Sequence, residues 1–243
     1  MKRSLFTIQD NQPLAPETYR MTLSGDTGAI TAPGQFVNIA LAGKFLRRPI
    51  SVCDWGEGSL TLIYKVVGQG TAQMSQMSPG QALDLLTGLG NGYDLSKAGD
   101  RPLLIGGGAG VPPLYALAKA LVAQGKRPQV ILGFNTRAEA FLEEEFQALG
   151  AAVTVATADG SYGVRGFVTD AMPRDGYSYI YTCGPEPMLR AVYGKAVTSG
   201  QFSFEERMGC GFGACMGCTC ETKYGYKRIC REGPVLEKEE ILW

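Results

Sequence analysis

The chain has 243 residues, 19% of them charged, and its 23 lysines and arginines balance its 23 aspartates and glutamates. A net charge of zero provides no overall field that would draw the chain to nucleic acid or to an anionic membrane. No apolar run is long enough for a signal peptide or a membrane span, so we expect a cytoplasmic protein that binds small molecules or other proteins. The absence of histidine excludes histidine-dependent catalytic triads, zinc sites with imidazole ligands and Rieske-type clusters.

The first part of the chain, residues 1–98, contains short β segments separated by glycine, proline and aspartate. Several of these segments alternate apolar and polar residues with a period of two, which is typical of strands. The segments are LFTIQ, ETYRMTLSG, QFVNIAL, RPISVCDW, SLTLIYKVV and QALDLL. They predict a small antiparallel β-barrel.

Two stretches of the predicted barrel contain residues suited to a nucleotide cofactor. In LRRPISVCDW, Arg48 can offer a bidentate guanidinium to a pyrophosphate, and Ser51 can offer a hydroxyl to a planar ring. In LIYKVVGQGT, Tyr64 is a candidate to flank a flavin ring, and the turn at Gly70 and Thr71 is a candidate phosphate site. The alternative for both stretches is purely structural: an exposed basic turn, and an ordinary strand followed by a helix start.

From residue 99 to 200 the pattern changes to alternating strands and helices. The runs RPLLIGGG, QVILGF, AVTVAT and YSYIYTCGP alternate with the predicted helices PPLYALAKALVAQG and RAEAFLEEEFQALG. This alternation predicts a doubly wound α/β domain with a parallel sheet.

Two motifs follow strands of this predicted domain at the edge where such sheets bind nucleotides. The glycine-rich turn contains Gly107, Gly108 and Gly110, and CGP contains Cys183, Gly184 and Pro185. The turn does not fit G-x-G-x-x-G, and no acid follows the second strand. A turn that only packs a helix on a strand, and a buried apolar cysteine at 183, are therefore the alternatives at this point.

Five of the seven cysteines lie between residues 207 and 234. Cys210, Cys215 and Cys218 have C-x4-C-x2-C spacing, and Cys230 follows further on. Plant-type ferredoxins hold a 2Fe–2S cluster with this opening triplet and a more distant fourth cysteine. The alternative is a four-cysteine zinc site, but such sites usually have two C-x2-C pairs. We expect Cys220 to be a neighbour of the cluster rather than a ligand.

The order of these features resembles the ferredoxin reductase family of flavoproteins over essentially the whole chain. With its cysteine-rich C-terminus, the chain is similar in particular to the electron-transfer subunits of dihydroorotate dehydrogenase B. The resemblance implies an FAD-binding barrel at residues 1–98, an NAD-binding domain at 99–200 and a 2Fe–2S module at 201–243. The implied FAD contacts are Arg48, Pro49, Ile50, Ser51, Ile63, Tyr64, Lys65, Gly70 and Thr71, and the implied cluster ligands are Cys210, Cys215, Cys218 and Cys230.

The resemblance also implies a function. In that family electrons pass from dihydroorotate to FMN on a catalytic subunit, then to the 2Fe–2S cluster, FAD and NAD, as a step of pyrimidine biosynthesis. The implied assembly is a heterotetramer with two copies of the FMN-containing catalytic subunit, which carries the acid–base chemistry. We therefore expect no catalytic acid or base in this chain, and no nucleic-acid or membrane partner.

Two other functions fit the same residues. The first is the small FAD and 2Fe–2S subunit of an NADPH-dependent ferredoxin or sulfide oxidoreductase, or of a hydrogenase. The second is a non-enzymatic, zinc-stabilised binding module. NAD is favoured over NADP only by resemblance, because Arg137 after the second strand suits either a 2′-phosphate or solvent.

Overall fold

An antiparallel barrel occupies the N-terminal part of the computed structural model, which describes residues 1–243. Its six strands close in the order β1–β2–β5–β4–β3–β6, and helix α1 (Gln69–Ser75) connects β5 to β6. The strands are β1 (Lys2–Ala15), β2 (Thr18–Ser24), β3 (Phe36–Ala40), β4 (Arg48–Gly56), β5 (Ser59–Lys65) and β6 (Ala82–Leu89). The predicted barrel is confirmed.

Side chains alternate between the inside and the outside of the barrel. On β3, Val37 and Ile39 are fully buried in the barrel core, whereas Phe36 packs in a different core cluster that includes cysteines of the C-terminal part. Because consecutive residues of a strand point to opposite faces, Asn38 shares the outer face with Phe36. This outer face of β3 therefore meets the cysteine-rich segment.

A seven-stranded sheet forms the second layer of the molecule, in the order β10–β9–β8–β7–β11–β12–β15. Its strands are β7 (Leu103–Gly107), β8 (Gln129–Phe134), β9 (Ala152–Thr157), β10 (Val164–Arg165), β11 (Ile180–Cys183), β12 (Gly200–Ser203) and β15 (Val235–Glu237). The strands from β10 to β12 are parallel, and β15 is antiparallel. The chain proceeds outward from β7 on one side and returns to its other side at β11, which places a topological switch point between these two strands.

Four helices accompany this sheet: α2 (Pro113–Ala123), α3 (Glu143–Ala148), α4 (Val168–Ala171) and α5 (Glu186–Lys195). Helix α2 packs Leu114, Leu117 and Leu121 into the core, as its periodicity predicts. None of the helices combines the length and the apolar composition needed to cross a membrane.

The helix predicted over residues 137–150 is wrong in its first half. A short 3₁₀ turn spans Arg137–Glu139, and α3 begins only at Glu143. Leu142 has φ 66°, in the left-handed region, which interrupts any continuous helix. Phe141 and Leu142 are both buried in the core, so their burial outweighs local helix propensity.

The cysteine-rich segment connects β12 to a hairpin of β13 (Thr219–Thr222) and β14 (Gly225–Arg228). The chain then returns to the large sheet, where β15 pairs with β12. Strand β12 spans residue 200, at which the sequence divides the second domain from the third. The boundaries 1–98, 99–200 and 201–243 stay a prediction.

Candidate functional site

The cysteines with ferredoxin-like spacing form two pairs. The backbone N–H of Cys210 donates to Cys215 Sγ, and that of Cys230 donates to Cys218 Sγ, each at an N–S distance of 3.4 Å. Two thiolate pairs fit the two irons of a 2Fe–2S cluster, whereas structural zinc needs four ligands around one ion. The donor set therefore fits the predicted cluster.

Backbone N–H groups surround the first of these sulfurs. Phe212, Ala214 and Cys215 donate to Cys210 Sγ at N–S distances of 3.2 to 3.5 Å. Burial by itself raises the pKa of the Cys210 thiol, but these donors lower it to about 6. At neutral pH this side chain is mainly a thiolate, which is the form that binds iron.

The second pair is chemically different from the first. Burial, together with the neighbouring Cys218 thiol, raises the pKa of Cys230 to about 12. Cluster binding at this pair must therefore release a proton, as is general for thiols that become metal ligands.

The turn that carries Cys230 also supports the cysteine-rich loop. Arg228 Nη1 donates to the carbonyl oxygen of Gly213 at 2.7 Å. Gly213 has φ 90°, and a Cβ there would lie 2.6 Å from Arg231 Cδ, so only glycine fits. Hydrogen bonding from Arg228 lowers the pKa of Glu232 to about 2, which keeps this supporting ion pair charged.

On the barrel, the two arginines of LRRPIS have different roles. Arg47 Nη2 pairs with Asp84 at 2.9 Å, whereas Arg48 makes no ion pair. The Arg48 side chain lies across the start of α1, where a Cβ on Gly70 would come within 2.1 Å of its Nε. An unpaired guanidinium over a glycine turn suits a pyrophosphate. Thr71 contributes mainly to the turn itself, because its Oγ1 accepts the N–H of Val67.

The remaining predicted flavin contacts divide between the core and the surface. On β4, Pro49 and Ser51 are partly or fully exposed, while Ile50 packs against the barrel core. Tyr64 is only 2% exposed and donates its hydroxyl to Asn11 Oδ1 at 2.9 Å, so it supports the barrel from inside. A narrow cleft between the barrel and the sheet is lined by Ile63, Tyr64, Lys65 and Gly108, among other residues.

The two predicted nucleotide motifs meet at the switch point of the sheet. A Cβ on Gly110 would lie 2.3 Å from the Cys183 carbonyl oxygen, and one on Gly184 would lie 3.3 Å from the Gly107 nitrogen. Pro185 is also beside Gly107. Burial raises the pKa of the Cys183 thiol to about 12, so this group is neutral and shapes the crevice without acting as a nucleophile.

Arg137 follows strand β8, at the carboxyl edge of the same sheet. Its guanidinium carbon is 5.3 Å from the centroid of the Tyr162 ring, and its backbone N–H donates to Ser161 Oγ at 2.8 Å. The side chain is exposed and lies over an aromatic face.

Cys220 lies apart from both thiol pairs. It lines a cavity of about 360 Å³ together with Phe204, Glu205 and Trp243, among other residues. Burial raises the pKa of its thiol.

Two residues that support the cysteine-rich loop were missed in the sequence. Asn38 donates from Nδ2 to the carbonyl oxygen of Cys210 at 3.1 Å, and Arg228 holds Gly213. The polar residue within the apolar run QFVNIAL was a signal for Asn38. Nothing in the sequence distinguishes Arg228 from other surface arginines.

Two segments of the chain match known domain families. Residues 104–193 match the oxidoreductase NAD-binding domain. Residues 205–242 match the iron–sulfur cluster binding domain of dihydroorotate dehydrogenase B. The expected iron–sulfur and NAD-binding domains are thereby confirmed.

Full-length relatives agree with these matches. The dihydroorotate dehydrogenase B (NAD(+)) electron transfer subunit of Bacillus caldolyticus is 44% identical over 99% of this chain and 98% of its own length. The chain belongs to the family of dihydroorotate dehydrogenase B electron transfer subunits. The subunit of the same name from Fusobacterium nucleatum is 42% identical, with 99% of each chain covered.

Solved structures add the fold of the family. The NADH-dependent reduced ferredoxin-NADP oxidoreductase, described in connection with flavin-based electron bifurcation, aligns with a TM-score of 0.89 at 30% identity, over 98% of this chain and 90% of that chain. The ferredoxin reductase in carbazole 1,9a-dioxygenase aligns with a TM-score of 0.69 over 80% of this chain and 65% of that chain; at 22% identity this shows the fold alone. The family and its reductase fold confirm the predicted class, an oxidoreductase subunit, and indicate FAD beside NAD and the iron–sulfur cluster.

Proposed function

We propose that this chain takes electrons from an FMN-containing, dihydroorotate-oxidising catalytic subunit and delivers them to NAD. The proposal rests on the arrangement of the four cysteines in a chain of this family. They form two pairs, and three backbone N–H groups donate to the Cys210 sulfur. Flavin chemistry suits the task because a flavin exchanges a hydride with nicotinamide and single electrons with an iron–sulfur cluster.

In this proposal the chain's own residues bind, orient and shield the cofactors. Cys210, Cys215, Cys218 and Cys230 hold the cluster. Arg48 neutralises the FAD pyrophosphate at the glycine turn of α1, and the exposed face of Pro49 and Ser51 receives the flavin ring. The flavin ring lies beside the cleft between the barrel and the sheet. Ile63, Tyr64 and Lys65 line one side of this cleft, and Gly108 of the glycine-rich turn lines the other.

The nucleotide occupies the switch point in the same proposal. Gly108 leaves open space at the turn for its phosphates, while Gly107 and Gly110 pack closely on Met188 and Cys183. Cys183, Gly184 and Pro185 shape the nicotinamide side, and the neutral Cys183 thiol adds no charge there. No residue of this chain is assigned as an acid or base.

The partner binds, in our proposal, at the cysteine-rich loop. Phe212 is 42% exposed and Met216 is 55% exposed, and both flank the exposed Cys215. Exposed apolar side chains next to a redox centre suit a protein interface that keeps the two centres close. We place the protein in the cytoplasm because all seven cysteines are free thiols. The assembly we propose is the one that the family resemblance implies, a heterotetramer with two copies of each subunit.

The test is an anaerobic co-expression with an FMN-containing dihydroorotate dehydrogenase subunit. We expect a coloured complex with two irons, two sulfides and one FAD per copy of this chain, as a roughly stoichiometric set, and reduction of its cluster by dihydroorotate before NAD is added. A colourless preparation that contains zinc would rule out the proposal.

A second function is favoured by the 30% identity and TM-score of 0.89 with the NADH-dependent reduced ferredoxin-NADP oxidoreductase. In that case the chain would be the small subunit of a related bifurcating enzyme. Steady-state kinetics with NADH and NADPH, and the identity of the large subunit that co-purifies, distinguish the two functions. A strong preference for NADPH would favour the second one.

A further inference from the structure

Asn38 has an unusual environment for a residue in the middle of a strand. It is 1% exposed, and its Nδ2 donates to the carbonyl oxygen of Cys210 at 3.1 Å. Its Oδ1 is the single buried side-chain nitrogen or oxygen atom that has no hydrogen-bond partner. Turning the amide over would set two acceptor oxygens against each other, so the contact with Cys210 defines the orientation of the side chain.

This arrangement is costly for the fold taken alone. A buried polar atom without a partner costs about 1–3 kcal/mol. An apolar side chain of similar size on the same strand would avoid this cost. The presence of an amide at this position therefore indicates that its Nδ2 is needed for the hydrogen bond to Cys210.

The strand that carries Asn38 is held rigidly. Arg47 Nη1 donates to the backbone oxygen of Asn38 at 3.1 Å, and its Nη2 pairs with Asp84 on β6 at 2.9 Å. In the strand register Asn38 is opposite Pro49, which belongs to the flavin-binding stretch of the proposed function. Asn38 thus lies between that stretch and the first cluster ligand.

The residue after Cys210 also packs closely against the Asn38 side chain. Gly211 has φ 77°, and a Cβ there would lie 2.2 Å from Asn38 Nδ2. The next residue, Phe212, begins the series of N–H groups that donate to Cys210 Sγ. The position of Asn38 therefore determines where these N–H groups are aimed.

We propose that Asn38 is a positioning residue that holds the Cys210 peptide against the barrel, and through it directs the N–H groups that bind the Cys210 sulfur. Such hydrogen bonds tune the potential and the stability of an iron–sulfur cluster. The inference rests on the proposed function, because it requires the cluster to be bound by these cysteines.

The test compares Asn38→Leu, which keeps the volume but removes the donor, with Asn38→Ser, whose hydroxyl is too short to reach Cys210. In the assembled holoprotein we expect iron release to a chelator to accelerate about tenfold in both variants. We also expect a more negative cluster potential and an altered electron paramagnetic resonance spectrum. In the metal-free chain, the amides of Phe212 and Ala214 should exchange faster with solvent.

Gln35→Leu is the matched control. Gln35 is another buried amide next to the same strand, and it donates to the Gly90 oxygen at 3.0 Å, away from the cluster loop. This variant should lose stability but keep the wild-type iron release, cluster potential, paramagnetic spectrum and loop exchange. If Asn38→Leu and Asn38→Ser fold and show wild-type values in all four measurements, the inference is overturned.

The two possible failures are separable. A wild-type chain that binds no 2Fe–2S cluster overturns the proposed function. In that event hydrogen exchange in the metal-free chain still decides whether Asn38 positions the loop.

Discussion

Arg47 and Arg48 show that adjacent identical residues acquire different roles from their surroundings. Arg47 is bound to Asp84 and to two backbone oxygens, so its charge is used within the barrel. Arg48 has no carboxylate partner and crosses the glycine turn at Gly70. Arg48 Nη1 donates to the carbonyl oxygen of Leu46, but no carboxylate neutralises its charge, so this guanidinium is the one suited to a phosphate.

The first prediction follows from this difference. Arg48→Ala should weaken FAD binding about 10- to 100-fold, because a charge-assisted hydrogen bond contributes about 1.5–3 kcal/mol. Flavin fluorescence after dilution measures the released FAD. Arg47→Ala should instead lower the midpoint of thermal unfolding, and an equal loss of FAD affinity in the two variants at equal stability would contradict the assignment.

The second prediction concerns the cysteines. Cys215→Ser should abolish or greatly reduce 2Fe–2S incorporation, because serine replaces one thiolate of the first pair. Cys220→Ser, a matched change outside both pairs, should keep the iron, the sulfide and the paramagnetic signal of the wild type. If only Cys220→Ser lost the cluster, Cys220 rather than Cys215 would be the ligand.

At the scale of elements, small residues allow the ends of β7 and β11 to come into direct contact. The proposed nucleotide crevice lies at this contact. Gly106 pairs with Cys183 in the register of these strands, and Gly110 packs on the Cys183 carbonyl. The contact joins two motifs that are far apart in the chain. A side chain between them would separate the two strand ends.

We therefore expect Gly110→Ala to reduce turnover with NADH about 100-fold, since a displacement of about 1 Å in a hydride-transfer site has an effect of this size. Gly194→Ala is the control, because nothing lies within 4 Å of the added methyl group on α5. Stopped-flow reduction of FAD by NADH gives the rate. Wild-type kinetics in Gly110→Ala would show that the crevice is not the nucleotide site.

Strand β15 is attached to the sheet by a partly exposed ionic contact at Glu237. Its carboxylate accepts hydrogen bonds from Lys97, Gln201 and Tyr179 at 2.7 to 2.8 Å. Burial raises the pKa of Glu237, but these three donors outweigh it and leave the pKa below the ordinary value of 4.5. Because the unfolded chain binds the proton more tightly, the stabilisation is present above pH 4.5 and is lost as the pH falls below it.

The fourth prediction follows from this dependence of stability on pH. Glu237→Gln should lower the free energy of unfolding at pH 7 by about 1 kcal/mol, a value reduced for the partial exposure of the Lys97 contact. The difference between wild type and variant should shrink as the pH falls from about 5 to 3. Urea unfolding at several pH values measures it, and a difference that stays constant over this range would contradict the ionic explanation.

At the scale of the whole molecule, the cluster loop is where the barrel, the sheet and the exterior meet. Asn38 attaches it to the barrel, and β15 returns the chain after Cys230 to the large sheet. The outer side of the loop carries Phe212 and Met216 and remains exposed. In the proposed function, electrons therefore enter at the exposed side of this loop and leave toward the interior.

The fifth prediction tests this orientation. The double variant Phe212→Ser and Met216→Ser should raise the dissociation constant for the FMN-containing subunit at least about tenfold, as expected for central apolar contacts. Val197→Ser removes an exposed apolar residue from the opposite end of the parallel strands and should leave the affinity unchanged. Calorimetric titration compares the two, and equal affinities would place the partner elsewhere.

Strand β7 could be predicted from a short apolar run, which is buried along its whole length. The barrel strands could be predicted because several of them alternate apolar and polar residues, a pattern that depends only on which face is buried. The helix over residues 137–150 could not, since Phe141 and Leu142 are buried by the rest of the core and break the helix there. The predicted residues of the glycine turn and the CGP motif do meet, because the ends of parallel strands converge at a switch point. The role of Tyr64 at the flavin stays a prediction, because its ring packs in the barrel core and it also lines the cleft.

The sequence alone determined the fold class and the thiol set, since these depend on local patterns: period, glycine turns and cysteine spacing. The cofactor types followed from the family resemblance that these motifs carry. The tertiary structure decided which cysteines pair, which arginine is free, and that Asn38 holds Cys210. Spacing along the chain cannot report these contacts. They depend on how β3, β7 and the C-terminal loop are packed together, which is a property of the whole fold.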